Sequence, residues 1–143
     1  MGNASPTQPI PAELLLQLES AARAASANSY SPYSRFAVGA AIAAESGAVY
    51  SGCNVENASF GLTNCAERTA IFKAAADGVR SIRAVVIYTP TPHPTSPCGA
   101  CRQVLNEFGP DCFVVSICDS AERTTTRLSE LLPGAFGPKN LRG

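Results

Sequence analysis

Residues 82–118 read IRAVVIYTPTPHPTSPCGACRQVLNEFGPDCFVVSIC, and the change of pattern inside them decides the fold. Ile82 to Tyr88 is a nearly continuous apolar run rich in β-branched residues, the pattern of a strand covered on both faces. Thr89-Pro90 ends it. A loop carrying Pro90, Pro92, Pro94 and Pro97 leads into a helix expected from about Gly99 to Phe108 and stopped by Gly109-Pro110. Cys112 to Cys118 then repeats the buried-strand pattern. Strand, helix and strand in this order make a crossover unit whose two strands run parallel.

Upstream, Cys65 to Asp77 turns helical, with Ala66, Thr69, Ala70, Lys73 and Ala74 recurring every three or four residues and Gly78 as its stop. Before it, Phe36, Val38, Ala40 and Ile42 alternate with smaller neighbours, Ser46-Gly47 supplies a turn, and Val49 to Val55 continues extended, which reads as a hairpin. Ser29 to Ser34, with Pro32 between two tyrosines, is a break, and Pro11 to about Asn28 is an Ala- and Leu-rich helix. A last strand is expected over Arg123 to Arg127. The sum is an α/β chain: a three-layer α/β/α domain on a mixed five-stranded sheet, with parallel neighbours joined by crossover helices. Residues 1–10 read as a flexible lead-in, 11–136 as a single domain and 137–143 as an irregular tail.

Composition bounds the partners. The 143 residues are 45% hydrophobic and 15% charged, enough for one buried core. Eleven basic residues balance 11 acidic ones, so no broad basic surface exists to neutralise phosphates, and nucleic acid is excluded as a main partner. No apolar run approaches a membrane span, and Met1 to Pro11 lacks the regions of a signal peptide, so a cytoplasmic protein is expected. In that compartment the six cysteines stay reduced, free for packing, metal or catalysis.

Cys65 opens one expected helix, and Cys98 and Cys101 open another that follows a parallel strand. Helix N-termini favour the thiolate, the form that binds Zn²⁺, and the carboxyl edge of such sheets is where ligand sites form. Three protein ligands leave an open fourth position, the mark of a catalytic zinc site. Cys53 lies in the hairpin, and Cys112 and Cys118 bracket a buried run, so packing roles are expected for these three. Glu67, two residues after Cys65, stands where a proton shuttle belongs; alternatively, Asn64 and Glu67 form a helix capping pair. The Cys98–Cys101 pair alone could equally be a redox dithiol or half of a zinc ribbon. Pro97 before the pair and the upstream Cys65-Ala66-Glu67 complete the zinc-deaminase signature.

These motifs, with Arg35-Phe36-Ala37-Val38-Gly39-Ala40-Ala41, the run Gly52-Cys53-Asn54-Val55-Glu56-Asn57-Ala58, Pro97 to Gln103 and Leu131 to Phe136, closely resemble the small cytidine deaminases that act on free nucleosides. The resemblance spans roughly Tyr30 to Phe136 and implies the cytidine deaminase-like fold, one zinc per chain and a homotetramer with active sites completed by neighbouring subunits. It implies Cys65, Cys98 and Cys101 as zinc ligands, Glu67 as proton shuttle, and Arg68 as a cation offsetting the thiolate charge. It further implies that Phe36 packs on the pyrimidine, Asn54 and Glu56 bind the ribose 3′-hydroxyl, and the Ala66 backbone holds the base, with Ala58 also lining the substrate. Phe60 and Phe136 match positions that reach a neighbouring subunit's site; relatives often carry tyrosine at the former. His93, the only histidine, lies in the Pro-rich loop and is expected on the surface.

The implied reaction is hydrolysis at C4 of cytidine or deoxycytidine, yielding uridine or deoxyuridine and ammonia. Rival readings are a deaminase of another aminopyrimidine nucleoside, a polynucleotide editor, and a structural zinc module without turnover. Asn54 and Glu56 speak for a plain ribose, and neutral charge speaks against a strand.

Overall fold

The computed structural model describes residues 10–142. Its elements are α1 (Ala12–Ser26), β1 (Gly39–Ala44), β2 (Val49–Cys53), α2 (Ala66–Ala76), β3 (Ile82–Tyr88), α3 (Gly99–Phe108), β4 (Phe113–Ile117), β5 (Arg123–Arg127), α4 (Leu128–Leu131) and α5 (Pro138–Arg142). The lead-in expected over 1–10 lies outside the described residues except for Ile10, which packs against the core.

The five strands lie in the order β2-β1-β3-β4-β5. β3 and β4 pair in parallel across α3, as the 82–118 pattern requires, while β4 and β5 are antiparallel. α2 links β2 to β3, which run in the same direction but are not neighbours, because β1 pairs antiparallel with both. The expectation of parallel neighbours at both helical connections is therefore corrected at α2. Burial explains the order. All six residues of β1, GAAIAA, are buried, so it takes the interior place, and the half-buried β2 becomes an edge.

Two apolar layers sandwich the sheet. On one face Leu18 and Ala22 of α1 meet Ala41, Ala43, Ala84, Val86, Val115 and Ile117. On the other, Ala70, Ile71 and Ala74 of α2 and Leu105 of α3 meet Ile42, Val85, Ile87 and Val114. The helices press close because glycine lets them. A Cβ on Gly39 would stand 1.9 Å from the Ala22 carbonyl oxygen, and one on Gly52 would stand 2.6 Å from the Ala70 nitrogen. Gly52 thus sets the height of α2, and with it Cys65, over the sheet.

Strand limits differ from the sequence pattern for a reason that bears on the site. β1 starts at Gly39 rather than at Phe36 because the Asn54 side chain takes the backbone groups a ladder would use, donating to the Phe36 carbonyl (2.7 Å) and accepting from the Val38 N–H (3.0 Å). β2 ends at Cys53, after which Val55 makes single bridges to Tyr30 and Asn64. The tail expected to be irregular over 137–143 instead contains α5. Pro138 supplies a helical φ at the first position, and the Asn140 side chain accepts from the Gly137 N–H (2.8 Å).

Candidate active site

Cys65 is the N-cap of α2 and Cys98 the N-cap of α3, and neither helix start is capped by a side chain. The positive ends of both helices therefore lie beside the sulfurs and favour thiolate. Cys101 lies in the first turn of α3 and is buried, Cys65 is half-buried and Cys98 is exposed. The three Sγ atoms lie within 4.8 Å of one another, Cys65 and Cys98 at 3.8 Å and Cys98 and Cys101 at 3.4 Å. All remain free thiols. Tetrahedral zinc with bonds of about 2.3 Å sets its sulfurs about 3.8 Å apart, so the triangle fits the ion and leaves its fourth position open. Among the described residues no other three such side chains converge.

Arg68 donates from Nη2 to the Cys65 sulfur at 3.3 Å. The Cys65 thiol is lowered to about 5, first by a hydrogen bond with Cys101 and then by Arg68, with burial opposing. Cys101 is pushed up in turn, because it bonds to and is repelled by Cys65. The Arg68 guanidinium is held more firmly protonated by its sulfur partners, Cys65 foremost, and its Nε is buried without a partner.

Glu67, second residue of α2, is 5% exposed. Burial pushes its carboxyl up to about 7, the Cys65 charge acts the same way, and the backbone N–H and Cys101 pull downward. The capping alternative is not formed: the N-cap is Cys65, no side chain caps the helix start, and the Asn64 amide donates to the Thr69 hydroxyl (3.0 Å).

The strand end beyond β2 holds a second polar group. Asn54 and Glu56 are both buried, at 8% and 9% exposure, with Val55 turned outward between them. Glu56 accepts from the N–H groups of Tyr33 (2.9 Å) and Ser34 (3.1 Å) and from the Ser34 hydroxyl. The Ser34 hydroxyl is the main reason its carboxyl lies below the ordinary value, against burial. Asn54 also accepts from the Ser29 hydroxyl. Together they fasten residues 29–38 to the strand end, while Val55 and Asn64 exchange backbone bonds of 2.9 Å one residue before Cys65. Phe36 follows Arg35, whose φ of 57° is the left-handed region that non-glycine residues rarely occupy.

Ala66 is buried at the first turn of α2, beside Cys65. Ala58 is exposed in the loop between β2 and α2, and Phe60, in a 3₁₀ turn of the same loop, stands out against the Tyr33 ring at 5.6 Å. Phe136 is also exposed, its carbonyl held by Gln103 (2.9 Å) and Asn106 (3.3 Å). A single chain thus presents both rings to its surroundings. His93 lies on the surface, paired with Glu122 at 2.7 Å. Cys112 is buried, its thiol pushed up to about 12 by burial; Cys118 is buried against the Pro92 carbonyl, and Cys53 closes β2. Sequence reasoning missed Ser29 and Ser34, whose roles have no local signal, and Arg102, which stands inside the motif that drew attention to Cys101.

Residues 13–117 match the family described as the cytidine and deoxycytidylate deaminase zinc-binding region. A cytidine deaminase of Sporosarcina psychrophila is 50% identical over 115 residues, covering 78% of this chain and 83% of that protein. One from Mycobacterium tuberculosis is 44% identical over 117 residues, covering 82% and 85%. The fold is similar to a crystal structure of cytidine deaminase from Burkholderia pseudomallei, with a TM-score of 0.81 and 48% identity over 85% of this chain and 98% of that one.

Proposed function

This chain belongs to the cytidine and deoxycytidylate deaminase family, and on that footing we propose that it converts cytidine and 2′-deoxycytidine to uridine and 2′-deoxyuridine by zinc-dependent hydrolysis, releasing ammonia. The setting is pyrimidine salvage in the cytoplasm, and the catalytic unit is the span 11–136. One observation carries the reading: three sulfurs within 4.8 Å at the starts of two helices, with a buried carboxyl two residues from the first.

Cys65, Cys98 and Cys101 would hold the zinc, which when bound would supply Lewis-acid activation of water. Glu67 takes a proton from the attacking water and gives it to ring nitrogen N3. It then carries the remaining hydroxyl proton to the amine as the C4–N bond breaks, leaving the C4 carbonyl and ammonia. Arg68 offsets the excess negative charge of three thiolates. The Ala66 backbone holds the polar edge of the base, and Phe36 packs on its face. Asn54 has a second amide hydrogen and Glu56 a further acceptor site on Oε2, which together suit the ribose 3′-hydroxyl. The groups that bind the sugar thus also fix the loop that carries Phe36.

Ala58 lines the substrate, and Phe60 and Phe136 act across subunits of a homotetramer. Supporting this, one chain leaves Phe60 73%, Leu62 70%, Phe72 50% and Phe136 59% exposed, apolar side chains that a neighbouring subunit would remove from water.

The test is Glu67→Gln. It retains zinc and loses roughly 10²- to 10⁴-fold in kcat, followed by the ultraviolet change as cytidine becomes uridine. Wild-type turnover in this variant would remove Glu67 from the chemistry, and zinc-replete native protein without turnover would overturn the deaminase reading.

A further inference from the structure

We propose that Arg102 is a positioning residue, which holds the Cys98 sulfur in the metal triangle and couples that position to the segment bearing Phe136. The proposal deepens the zinc reading of the thiol cluster and rests on it.

Cys98 is the ligand most in need of support. It alone of the three is exposed, and it ends a loop interrupted by Pro90, Pro92, Pro94 and Pro97. Pro97 has no N–H, so the residue preceding the ligand cannot be held as a donor and must be held by its carbonyl. Arg102, half-buried one turn into α3, does this. Its Nε donates to the Pro97 carbonyl at 2.8 Å and its Nη2 to the Ser96 hydroxyl at 3.0 Å. The Arg102 N–H also closes the first turn on the Cys98 carbonyl at 3.0 Å. Both sides of the ligand's peptide unit are thereby tied to one residue.

The third donor points elsewhere. Nη1 reaches the Leu131 carbonyl at 2.9 Å, at the end of α4, five residues before Phe136. Gln103 and Asn106 of the same helix hold the Phe136 carbonyl. Among the described residues the hydrogen bonds these two side chains donate go to that segment, whereas Arg102 bonds to both the metal loop and the chain leading to Phe136. A planar guanidinium with donors in fixed directions conveys orientation between its partners; an ammonium on a flexible stem cannot.

Zinc affinity, measured on the full chain by competition with a chromogenic chelator, tests this without substrate. Arg102→Ala weakens zinc by about 10- to 100-fold, and Gln103→Ala, which releases only Phe136, stays within about twofold of wild type. Arg102→Lys keeps the charge without the fork and fails to restore the affinity. Cobalt(II) in the same site gives a spectroscopic reading, with the thiolate charge-transfer bands weakened in Arg102→Ala and unchanged in Gln103→Ala. Wild-type zinc affinity in Arg102→Ala overturns the proposal, as does an equal loss in Gln103→Ala, which would reveal only a general loosening of α3. If Arg102→Ala does not fold, Arg102→Lys carries the comparison, and wild-type affinity there overturns the proposal. Native protein that loses zinc affinity on substitution yet never turns over cytidine sinks the deaminase reading alone. Native protein that turns over cytidine, with Arg102→Ala unchanged in affinity, sinks this one alone.

Discussion

The carboxylate of Glu56 illustrates how one side chain joins stability to substrate. Three donors from Tyr33 and Ser34 hold it ionised, so its pKa in the folded chain lies below the ordinary 4.5. A depressed folded pKa means that the charged form stabilises the fold above the unfolded value, and that the contribution is lost as pH falls through the folded one. Glu56→Gln is therefore expected to melt below wild type near neutrality. The gap should narrow progressively as pH drops from ~5 toward ~3, followed by circular dichroism. A gap independent of pH would show that the charge of Glu56 does not support the loop. If Glu56 binds the sugar as proposed, the same variant should raise KM for cytidine more than it lowers kcat. Glu67, by contrast, reads from sequence as the proposed proton shuttle only by its company, because the same residue spacing also writes a helix cap. The structure removes the cap reading, because the N-cap of α2 is Cys65 and no side chain caps the helix start.

At the scale of elements, α2 is placed by absence of side chain. Gly52 admits the helix backbone, and a methyl there would meet the Ala70 nitrogen at 2.6 Å, where neither backbone can yield easily. Gly52→Ala is expected to cost about 1–3 kcal/mol of unfolding free energy and to weaken zinc by tilting Cys65 away from Cys98. Gly99→Ala, whose methyl would meet nothing within 4 Å, is the control and should leave both nearly unchanged. Chemical denaturation and chelator competition check the pair, and equal effects would deny Gly52 its part in placing the ligand. These contacts mark the limit of what the chain's pattern discloses. Buried runs such as Ile82 to Tyr88 are legible because burial on both faces writes itself as continuous apolarity. The cysteines are legible because helix starts follow from punctuation by Pro and Gly. The insertion of β1 between β2 and β3 is not legible, because antiparallel pairing with a distant strand leaves no local mark. Neither is the true start of β1, where the Asn54 side chain replaces a ladder partner. α5 stayed hidden for a similar reason: five residues hold too little periodicity to show.

For the whole molecule, the exposed rings make a claim about assembly that mixing can test. If Phe136 serves a neighbour's site, a Phe136→Ala chain with intact Glu67 regains function beside a Glu67→Gln chain with intact Phe136. Protein refolded from an equal mixture should then exceed the mean kcat/KM of the two variants alone; activity equal to that mean would confine each site to its own chain. The strand order has a further consequence, in time rather than in space. β1 comes off the ribosome long before β3, and until β3 arrives one of its edges has no partner. Cys65 is made before that closure and Cys98 after it. A half-made chain therefore holds a single ligand and has no grip on the metal. The thiols meet only after β3 has been made, so zinc capture is a late event that reports the interior of the sheet as formed.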